Sequence, residues 1–333
     1  MASEKPQNKK GDEKLPLSLK LKAWWNGYDP ADLAAGPKET ASSRPSQLVQ
    51  EARAQAAEKI TRPDMPWDAA RAEISQLVWG DGFCGPGGPD HVINMVKLLV
   101  LTPEKSMVDI GAGLGGPARA IAQTYGIWIT GYEHDPELAA AGNELSVMAG
   151  LTKKAPVKHY DFDKPTAFER HFDRALAKES LFTIRDKRTL FGQIESSLKD
   201  NGLFLITDYV AANDQAAASP AFADWCAHEP VEPHPATLES LVADLESVRL
   251  GIRVNEDVSE HYAHLISRSW ADADQIVAKL IKRGKEGLAL VDVLLREAEM
   301  WTRRAKLLRS GELRVQRILA HKQAPSSQLM SDP

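Results

Sequence analysis

The sequence contains few cysteines and no long hydrophobic run. Only Cys84 and Cys226 occur among 333 residues, too few for a disulfide framework or a cysteine-rich metal site. The longest apolar stretch, residues 92–101, is interrupted by Lys97, whereas a membrane-spanning helix needs about 20 apolar residues. The N-terminal residues include no apolar segment of the kind found in a secretory signal. We therefore expect no integral membrane segment and a cytoplasmic location.

The sequence also has no large excess of charge of either sign. Its formal net charge is -5 and its isoelectric point is near 6.0, so it shows no basic excess typical of nucleic-acid binding. Hydrophobic residues make up 43% and charged residues 26% of the chain, as in ordinary globular domains. These values favour a globular enzyme with no nucleic-acid partner.

Composition and hydrophobic periodicity divide the chain into six segments. Lys, Glu, Ser and Pro dominate the first segment, and such a composition buries little apolar surface. The loop WGDGFCGPGG, residues 79–88, contains five glycines and cannot form a regular element. We predict a poorly ordered leader (1–62), a helical lid with this loop (63–101), a Rossmann-like core (102–258), a helical cap (259–310), a closing edge strand (311–323) and a tail (324–333).

Short apolar runs alternate with helix-like segments between residues 105 and 210. This alternation is typical of a parallel sheet with helices on both faces, and it predicts an α/β fold. Apolar residues between Leu290 and Leu308 recur at spacings of three and four, which indicates a buried helix face. Gly284 and Gly287 predict a break between two helices in the cap. The last segment, ELRVQRILAHK, alternates like an edge strand.

The most informative motif, MVDIGAGLGGPARAIA, spans residues 107–122. An apolar strand ends near Asp109 and runs into Gly111, Gly113 and Gly116, after which a helix begins. Glycines at such a turn let backbone N–H groups approach a ligand at the helix N-terminus. Glu133 lies 22 residues after Gly111, at the end of the next strand, where a carboxylate can accept both hydroxyls of a ribose.

Two kinds of cofactor compete for this motif. The three glycines fit the G-x-G-x-x-G pattern of nicotinamide and flavin dinucleotides. Asp109 favours the other candidate, because a carboxylate so close to a pyrophosphate would be repelled. The same carboxylate would attract the sulfonium and amino groups of S-adenosylmethionine. We therefore predict S-adenosylmethionine as the cofactor, with a nicotinamide oxidoreductase as the alternative.

With these residues the sequence resembles the class I S-adenosylmethionine-dependent methyltransferases, most closely over residues 79–209. The resemblance implies a seven-stranded Rossmann-like methyltransferase sheet with a helical N-terminal lid and a C-terminal helical insertion. It also implies a cofactor site built from the glycine turn, the strand ends and the glycine-rich loop. The implied cofactor-binding residues are Asp109, Gly111, Gly113, Gly115, Glu133, His134, Asp161, Phe162, Lys178 and Gly85.

Within that class, VDIGAGLGG, LFGQIESSLKDNGLFLITDY and NEDVSEHY resemble the phosphoethanolamine N-methyltransferases and related small-amine methyltransferases. Those enzymes use a tyrosine and a histidine as a catalytic pair, and these positions fall near Trp67 and on Thr183 here. Their phosphate-binding tyrosine and arginine fall near Trp225 and Glu229. Neither pair is matched, so the resemblance implies the fold and cofactor and argues against a phosphorylated acceptor.

Methyl transfer from a sulfonium requires alignment of the acceptor and exclusion of water rather than a fixed catalytic triad. The candidate catalytic residues are Glu179, Tyr209 and His228. The predicted acceptor pocket, where aromatic faces would suit a cation, is lined by Trp67, Trp79, Thr183 and Trp225. For each of these residues the alternative is structural, as an ion pair, a core hydroxyl, a solvated loop or lid packing.

The leading hypothesis is methylation of a small molecule, with an amine nitrogen as the acceptor. A first alternative is a lipid or hydrophobic metabolite as acceptor, with peripheral membrane contact through Trp24 and Trp25. A second alternative is a cofactor-binding scaffold without catalysis. His261 and His264 share a helix face but have no carboxylate motif beside them, so we predict no metal site.

Overall fold

A computed structural model describes residues 62–323. These residues form one seven-stranded sheet flanked by helices, so the predicted α/β fold is confirmed. Almost all of the predicted leader, the tail, and Trp24 and Trp25 lie outside the described residues. Within the described part of the chain, no helix is both long and apolar enough to cross a membrane.

The sheet has the strand order β3-β2-β1-β4-β5-β7-β6. Strands β1 to β5 run parallel to one another, and β7 runs antiparallel to both of its neighbours. The strands are β1 (Ser106–Ile110), β2 (Trp128–Glu133), β3 (Val157–His159), β4 (Phe172–Lys178), β5 (Leu198–Ala211), β6 (Leu250–Asp257) and β7 (Leu313–Lys322).

Helices precede the sheet, connect all of its parallel strands except β3 and β4, and lie between β5 and β6 and between β6 and β7. The described helices are α1 (Ala69–Trp79), α2 (Gly88–Met95), α3 (Gly116–Tyr125), α4 (Pro136–Met148), α5 (Lys187–Ser197), α6 (Asp214–Ala217), α7 (Pro220–His228), α8 (Leu238–Ser247), α9 (Ser259–Trp270), α10 (Ala273–Ile281) and α11 (Lys285–Ser310). Short 3-10 turns follow α2 and β4.

The order of the strands places a crevice at their carboxyl ends. The chain moves from β1 outward through β2 to β3, then returns to the other side of β1 with β4. Ligands of open α/β sheets bind at such a reversal. Asp109, Glu133 and Lys178 lie at or near the carboxyl ends of three of these strands, so the topology brings them to one place.

One large apolar cluster lies between the sheet and the helices α5 and α8. The sheet contributes Val108, Phe204 and Ile318, and each of these residues is 0% exposed. Burial of one large apolar side chain contributes about 1.5–3 kcal/mol. The helix side of the cluster consists of Leu190, Phe191, Ile194, Leu241 and Leu245.

The C-terminal strand is antiparallel, as expected, but its predicted edge position is wrong. β7 lies between β5 and β6, and β6 is the edge strand. Polar residues alternate with apolar residues along β7. Some of these polar side chains form ion pairs with β6 and do not face only solvent. Arg317 Nε donates to Glu256 at 2.8 Å, and Arg314 lies 3.5 Å from Asp257.

The predicted helical cap consists of three helices, not two. The first break lies between Trp270 and Ala273, where no glycine signals it. Gly284 precedes α11 with a φ of 72°, whereas Gly287 lies inside α11, where a Cβ would meet the Leu280 carbonyl oxygen. The cap role of these helices, and the lid role of α1 and α2, stay predictions.

Candidate active site

The loop after β1 depends on glycines that tolerate a left-handed backbone. Gly111 has a φ of 71° and Gly113 a φ of 55°, a region that other residues adopt only with strain. A Cβ on Gly111 would lie 2.2 Å from the Cβ of Ser180. The Gly111 N–H donates to the carbonyl of Tyr132 at 2.8 Å, which holds the turn against β2.

Asp109 is a buried carboxylate with an unused oxygen. It is 2% exposed, and its Oδ2 has no hydrogen-bond partner among the described residues. Burial and the Glu133 carboxylate raise the pKa of Asp109 to about 7, while the Lys178 ammonium partly opposes them. Such a group costs free energy until a donor or a cation meets it. Asp109 is therefore a preformed partner for a positively charged ligand.

Glu133 ends β2 and faces the same cavity. Its Oε2 accepts the N–H of Gly113 at 2.8 Å, and its Oε1 accepts the N–H of Asp135 at 3.1 Å. Burial raises its pKa. A carboxylate oxygen can accept more than one hydrogen bond, so Glu133 can take ligand hydroxyls while it anchors the glycine turn.

Two aromatic rings continue the cavity wall beyond Glu133. The ring centroids of His134 and Phe162 are 6.2 Å apart, and their planes differ by 23°. Phe162 is held by Tyr160, whose ring centroid is 5.1 Å away. A planar heterocycle would find apolar faces here.

β4 ends in a buried ion pair. The side chains of Lys178 and Glu179 pair with each other and are 7% and 8% exposed. Glu179 has a φ of 56°, and its N–H donates to the Thr207 carbonyl at 2.7 Å. A Cβ on Gly85 would lie 2.6 Å from Glu179 Oε2. A positive φ at a residue other than glycine costs about 1–3 kcal/mol of backbone strain. Glu179 has this strained conformation at the point where its carboxylate lies against the glycine-rich loop.

These groups line one cavity of about 260 Å³. Six carboxylates and three cationic side chains face it. Segments outside the sheet strands supply part of the lining, here called the outer wall. The outer wall consists of Trp67, Arg71, Phe182, Thr183, Glu229, Glu297, Met300, Trp301 and Arg304.

Buried ion pairs hold the outer wall together. The Arg304 guanidinium donates to both oxygens of Glu229, each at 2.6 Å, and Trp225 Nε1 donates to Glu229 Oε1 at 2.5 Å. Arg71 Nε donates to Glu297 Oε1 at 2.5 Å. Burial opposes the charge of Arg304, but the Glu229 carboxylate keeps its pKa above the ordinary value. Removal of one partner from such a pair costs about 3–5 kcal/mol.

Comparison with known proteins gives matches to methyltransferases at the level of sequence. A family model described as a methyltransferase domain matches residues 91–246. Phosphoethanolamine N-methyltransferase 3 of Arabidopsis thaliana is 28% identical over 148 residues, which cover 44% of this chain and 29% of that protein. These matches support the resemblance of the chain to the class I methyltransferases. The chain spans less than two fifths of the length of such curated relatives.

Solved structures of methyltransferases share the fold. Phosphoethanolamine N-methyltransferase 2 of Haemonchus contortus, in complex with S-adenosyl-L-methionine, aligns with a TM-score of 0.67 and 18% identity over 76% of this chain and 57% of that chain. A cyclopropane synthase of Mycobacterium tuberculosis aligns with a TM-score of 0.62 and 16% identity over 77% of this chain and 95% of that chain. The fold therefore does not by itself define the acceptor.

S-adenosylmethionine is the cofactor of class I methyltransferases, and the residues of this crevice fit it. The unused oxygen of Asp109 can meet the amino or sulfonium cation, and Glu133 can accept the ribose hydroxyls. The rings of His134 and Phe162 can hold the adenine. A pyrophosphate would instead meet two carboxylates. The predictions of family and cofactor are confirmed, and the dinucleotide alternative is not supported.

Most of the predicted site residues line this cavity. They come from the glycine turn, the ends of β2 and β4, the glycine-rich loop and the outer wall. They are Asp109, Gly111, Gly113, Glu133, His134, Phe162, Lys178, Gly85, Glu179, Trp67 and Thr183. Their individual roles stay predictions.

Two predicted cofactor residues do not line the cavity. A Cβ on Gly115 would lie 2.8 Å from Arg119 Nη1, so this glycine makes room for a side chain behind the turn. Asp161 is exposed, and its Oδ1 accepts the N–H of Asp163 at 3.0 Å. The short β3 ends before Asp161, so the strand does not direct this side chain inward.

Two predicted catalytic residues also lie outside the cavity. Tyr209 is 1% exposed and packs behind the outer wall, with its ring centroid 5.2 Å from that of Phe182. His228 ends α7 with its side chain half-buried, and its Nδ1 lies 2.8 Å from the Asp224 carbonyl oxygen. The next residue, Glu229, faces the cavity instead.

Two predicted pocket tryptophans support the outer wall from behind. The ring of Trp79 lies 4.5 Å from that of Trp301, which does line the cavity. Trp225 is 1% exposed and holds Glu229 through its indole N–H. Both residues therefore pack and position the wall residues, which corrects their predicted place in the pocket.

The ion-paired residues of the outer wall were not predicted as site residues, although the sequence carries a signal for two of them. Glu297 and Arg304 fall at spacings of three and four from Leu294, Trp301 and Leu308, on the apolar face of α11. A charged residue at a buried position needs a partner. The partners could not be read from the sequence, since they lie on α1 and after α7.

Proposed function

We propose that this protein transfers a methyl group from S-adenosylmethionine to the nitrogen of a small amine that carries no phosphate. The charge of the cavity carries the proposal. Six carboxylates face it against three cations, and each cation is paired with a carboxylate. A cavity with this balance attracts a cationic cofactor and an amine, and it disfavours a phosphorylated acceptor.

The residues of this chain bind, orient and shield the reactants. The bound cofactor supplies a methyl group that its sulfonium already activates. Asp109 and Glu133 would hold the cofactor in the cavity that the end of β4 also lines. Glu179 lies at the end of that strand and can accept a proton from an ammonium acceptor, because an amine attacks only when it is unprotonated. The outer wall would exclude water and align the nitrogen.

A phosphorylated acceptor would need a free cation. Lys178, Arg71 and Arg304 are the cationic residues of the cavity lining. Arg304 is 8% and Arg71 5% exposed, and withdrawal of either from its carboxylate would leave a buried charge uncompensated. The relatives named phosphoethanolamine N-methyltransferases therefore support an amine nitrogen as the methyl acceptor. They give less support to a phosphate group on the acceptor of this chain.

The basic run 303–309 gives limited support to a lipid acceptor. Arg303 pairs with Asp224 at 3.2 Å and with Glu299 at 3.0 Å. Arg304 turns inward onto Glu229. Trp24 and Trp25, which motivated membrane contact, lie outside the described residues. We therefore treat lipid methylation as an outcome of the test.

The test is transfer of labelled methyl groups from S-adenosylmethionine to a panel of amines, phosphorylated amines, phenols and lipid extract. We expect label on at least one unphosphorylated amine. Glu179→Gln should lower this transfer by about 100-fold or more, since a general base contributes that much. Glu239→Gln, an exposed glutamate of α8, is the matched control and should leave the rate unchanged. Label confined to phosphorylated amines or to lipids would overturn the proposal.

A further inference from the structure

A line of side chains connects the cavity with the surface beside α2 and α9. Glu179 lines the cavity and pairs with Lys178, whose Nζ lies 5.9 Å from the centroid of the Tyr262 ring, and the Glu179 carboxylate helps to raise the pKa of Tyr262. The Tyr262 hydroxyl lies 3.3 Å from His91 Nε2, and His91 Nδ1 lies 3.2 Å from His261 Nε2. Tyr262 is 0% exposed, whereas the imidazole of His261 is exposed. The line therefore runs from a buried carboxylate to solvent.

Two segments that are distant in sequence build this line. His91 lies in the second turn of α2, directly after the glycine-rich loop, and a Cβ on Gly87 would lie 2.4 Å from its ring. Tyr262 and His261 are consecutive residues of α9. The His91 ring packs edge-on against the Tyr262 ring, with centroids 5.4 Å apart. The geometry thus depends on close approach of the loop to its own helix.

The inner members of the line are neutral. Burial lowers the pKa of His91 to about 3, and the nearby charges of Lys178, His261 and Arg317 act in the same direction. Burial raises the pKa of Tyr262 well above its ordinary value, and the carboxylate of Glu179 adds to this effect. A neutral hydroxyl and a neutral imidazole each hold one proton donor and one acceptor, which is what proton exchange along a chain requires.

We propose that Glu179, Tyr262, His91 and His261 form a proton relay that carries the proton of an amine acceptor from the cavity to solvent. The proposal rests on the proposed methylation of an amine. Glu179 touches the acceptor as its base, whereas Tyr262, His91 and His261 act through it.

One proton leaves for each methyl group transferred to an ammonium acceptor. The ammonium gives a proton to Glu179, and the freed nitrogen lone pair forms the N–C bond. The C–S bond breaks, and its electron pair stays on sulfur as a neutral thioether. Glu179 passes its proton to the oxygen of Tyr262 as the Tyr262 hydroxyl proton moves to His91 Nε2. The proton on His91 Nδ1 moves to His261 Nε2, and the imidazole of His261 releases a proton to water.

The relay is tested in the full chain with Tyr262→Phe, which removes one oxygen and keeps the ring. At pH 7 we expect kcat for an amine acceptor to fall about 10- to 100-fold, less than the roughly 100- to 10,000-fold that a direct general base contributes, because Tyr262 acts through Glu179. The KM for S-adenosylmethionine should not change. The defect should shrink toward pH 9, where more of the acceptor arrives as free amine. His91→Gln should show the same pH-dependent loss, and His264→Gln, an exposed neighbour on α9, should behave as wild type.

A second measurement does not depend on turnover. Nitrogen NMR of histidine-labelled protein should show His91 protonated on Nδ1, with an Nε2 signal that shifts in Tyr262→Phe. Protonation on Nε2 would overturn the relay, as would a Tyr262→Phe variant with wild-type kcat at every pH. If the wild-type chain methylates no amine, the proposed function fails and the relay with it. If wild type is active and the variants are unaffected, the relay alone fails.

Discussion

Replacement of Asp109 by Asn should stabilise the free protein while abolishing its binding of S-adenosylmethionine. Burial and the Glu133 carboxylate raise the pKa of Asp109 from 3.8 to about 7 in the folded chain. Between these values the folded chain holds a proton that the unfolded chain has released. Stability therefore falls as the pH rises through this window, and the full cost is present above about pH 7.

The size of this cost follows from the shift. About three pKa units correspond to about 4 kcal/mol, and this is an upper value because water in the cavity reduces it. We expect the Asp109→Asn variant to recover about 2 kcal/mol at pH 8, since an amide of the same shape carries no charge. A gain of that size raises the melting temperature by about 4–8 °C. At pH 5 the folded carboxyl is protonated but the unfolded one has already released its proton, so the variant should still gain stability, by less than at pH 8, and the gain should vanish only below about pH 3.8.

Thermal denaturation at pH 5 and pH 8, with and without S-adenosylmethionine, checks both effects. The cofactor should raise the melting temperature of the wild type and leave that of Asp109→Asn unchanged. Asp200→Asn, at an exposed carboxylate, is the control and should gain no stability. The reasoning is refuted if Asp109→Asn melts at or below the wild-type temperature at pH 8, or if it binds the cofactor with wild-type affinity.

Two further predictions concern stability in urea. The Arg304→Met variant should lose about 3–5 kcal/mol of unfolding free energy, because it leaves the Glu229 carboxylate buried without its partner. Adding Glu229→Gln should restore part of this loss. An equal loss in the single and double variants would contradict this pairing. Gly111→Ala should lose more than about 3 kcal/mol, on the order of the largest single-residue effects, because its Cβ would meet Ser180 at 2.2 Å. Gly150 is the control, because it has a φ of 70° and an added Cβ would meet no atom within 4 Å. Gly150→Ala should lose only about 1 kcal/mol of unfolding free energy. Similar losses at both glycines would show that contact with Ser180 is unimportant.

Local patterns in the sequence were sufficient to predict the fold and the cofactor crevice. The glycine turn, the carboxylate before it and Glu133 all act through nearby backbone, so their spacing carries the information. The alternation of short apolar runs and helices likewise reports a parallel sheet. The structure places Asp109, Gly111 and Glu133 together for these reasons.

The outer wall depends on contacts between distant segments. Arg71 and Glu297 are 226 residues apart, and Glu229 and Arg304 are 75 residues apart. The spacing of residues within one sequence does not indicate which of such distant residues pair. Aromatic faces suit a cation, which predicts Trp79 in the pocket, but its ring packs behind Trp301, a residue that lines the cavity.

The edge strand was misplaced for a related reason. Alternating polar residues on β7 predict a solvent-facing edge when the strand is considered alone. In the structure, Arg317 is satisfied by Glu256 of β6, so the same alternation belongs to an inner strand. Only the pairing partner distinguishes the two cases.

The most direct test of the account is competition between one amine acceptor and its phosphorylated counterpart in the same reaction with labelled S-adenosylmethionine. Mass spectrometry identifies the methylated product and the methylated atom. We expect label on the nitrogen of the unphosphorylated amine, and loss of that label in Asp109→Asn. Preference for the phosphorylated acceptor, or label on neither amine, would contradict it.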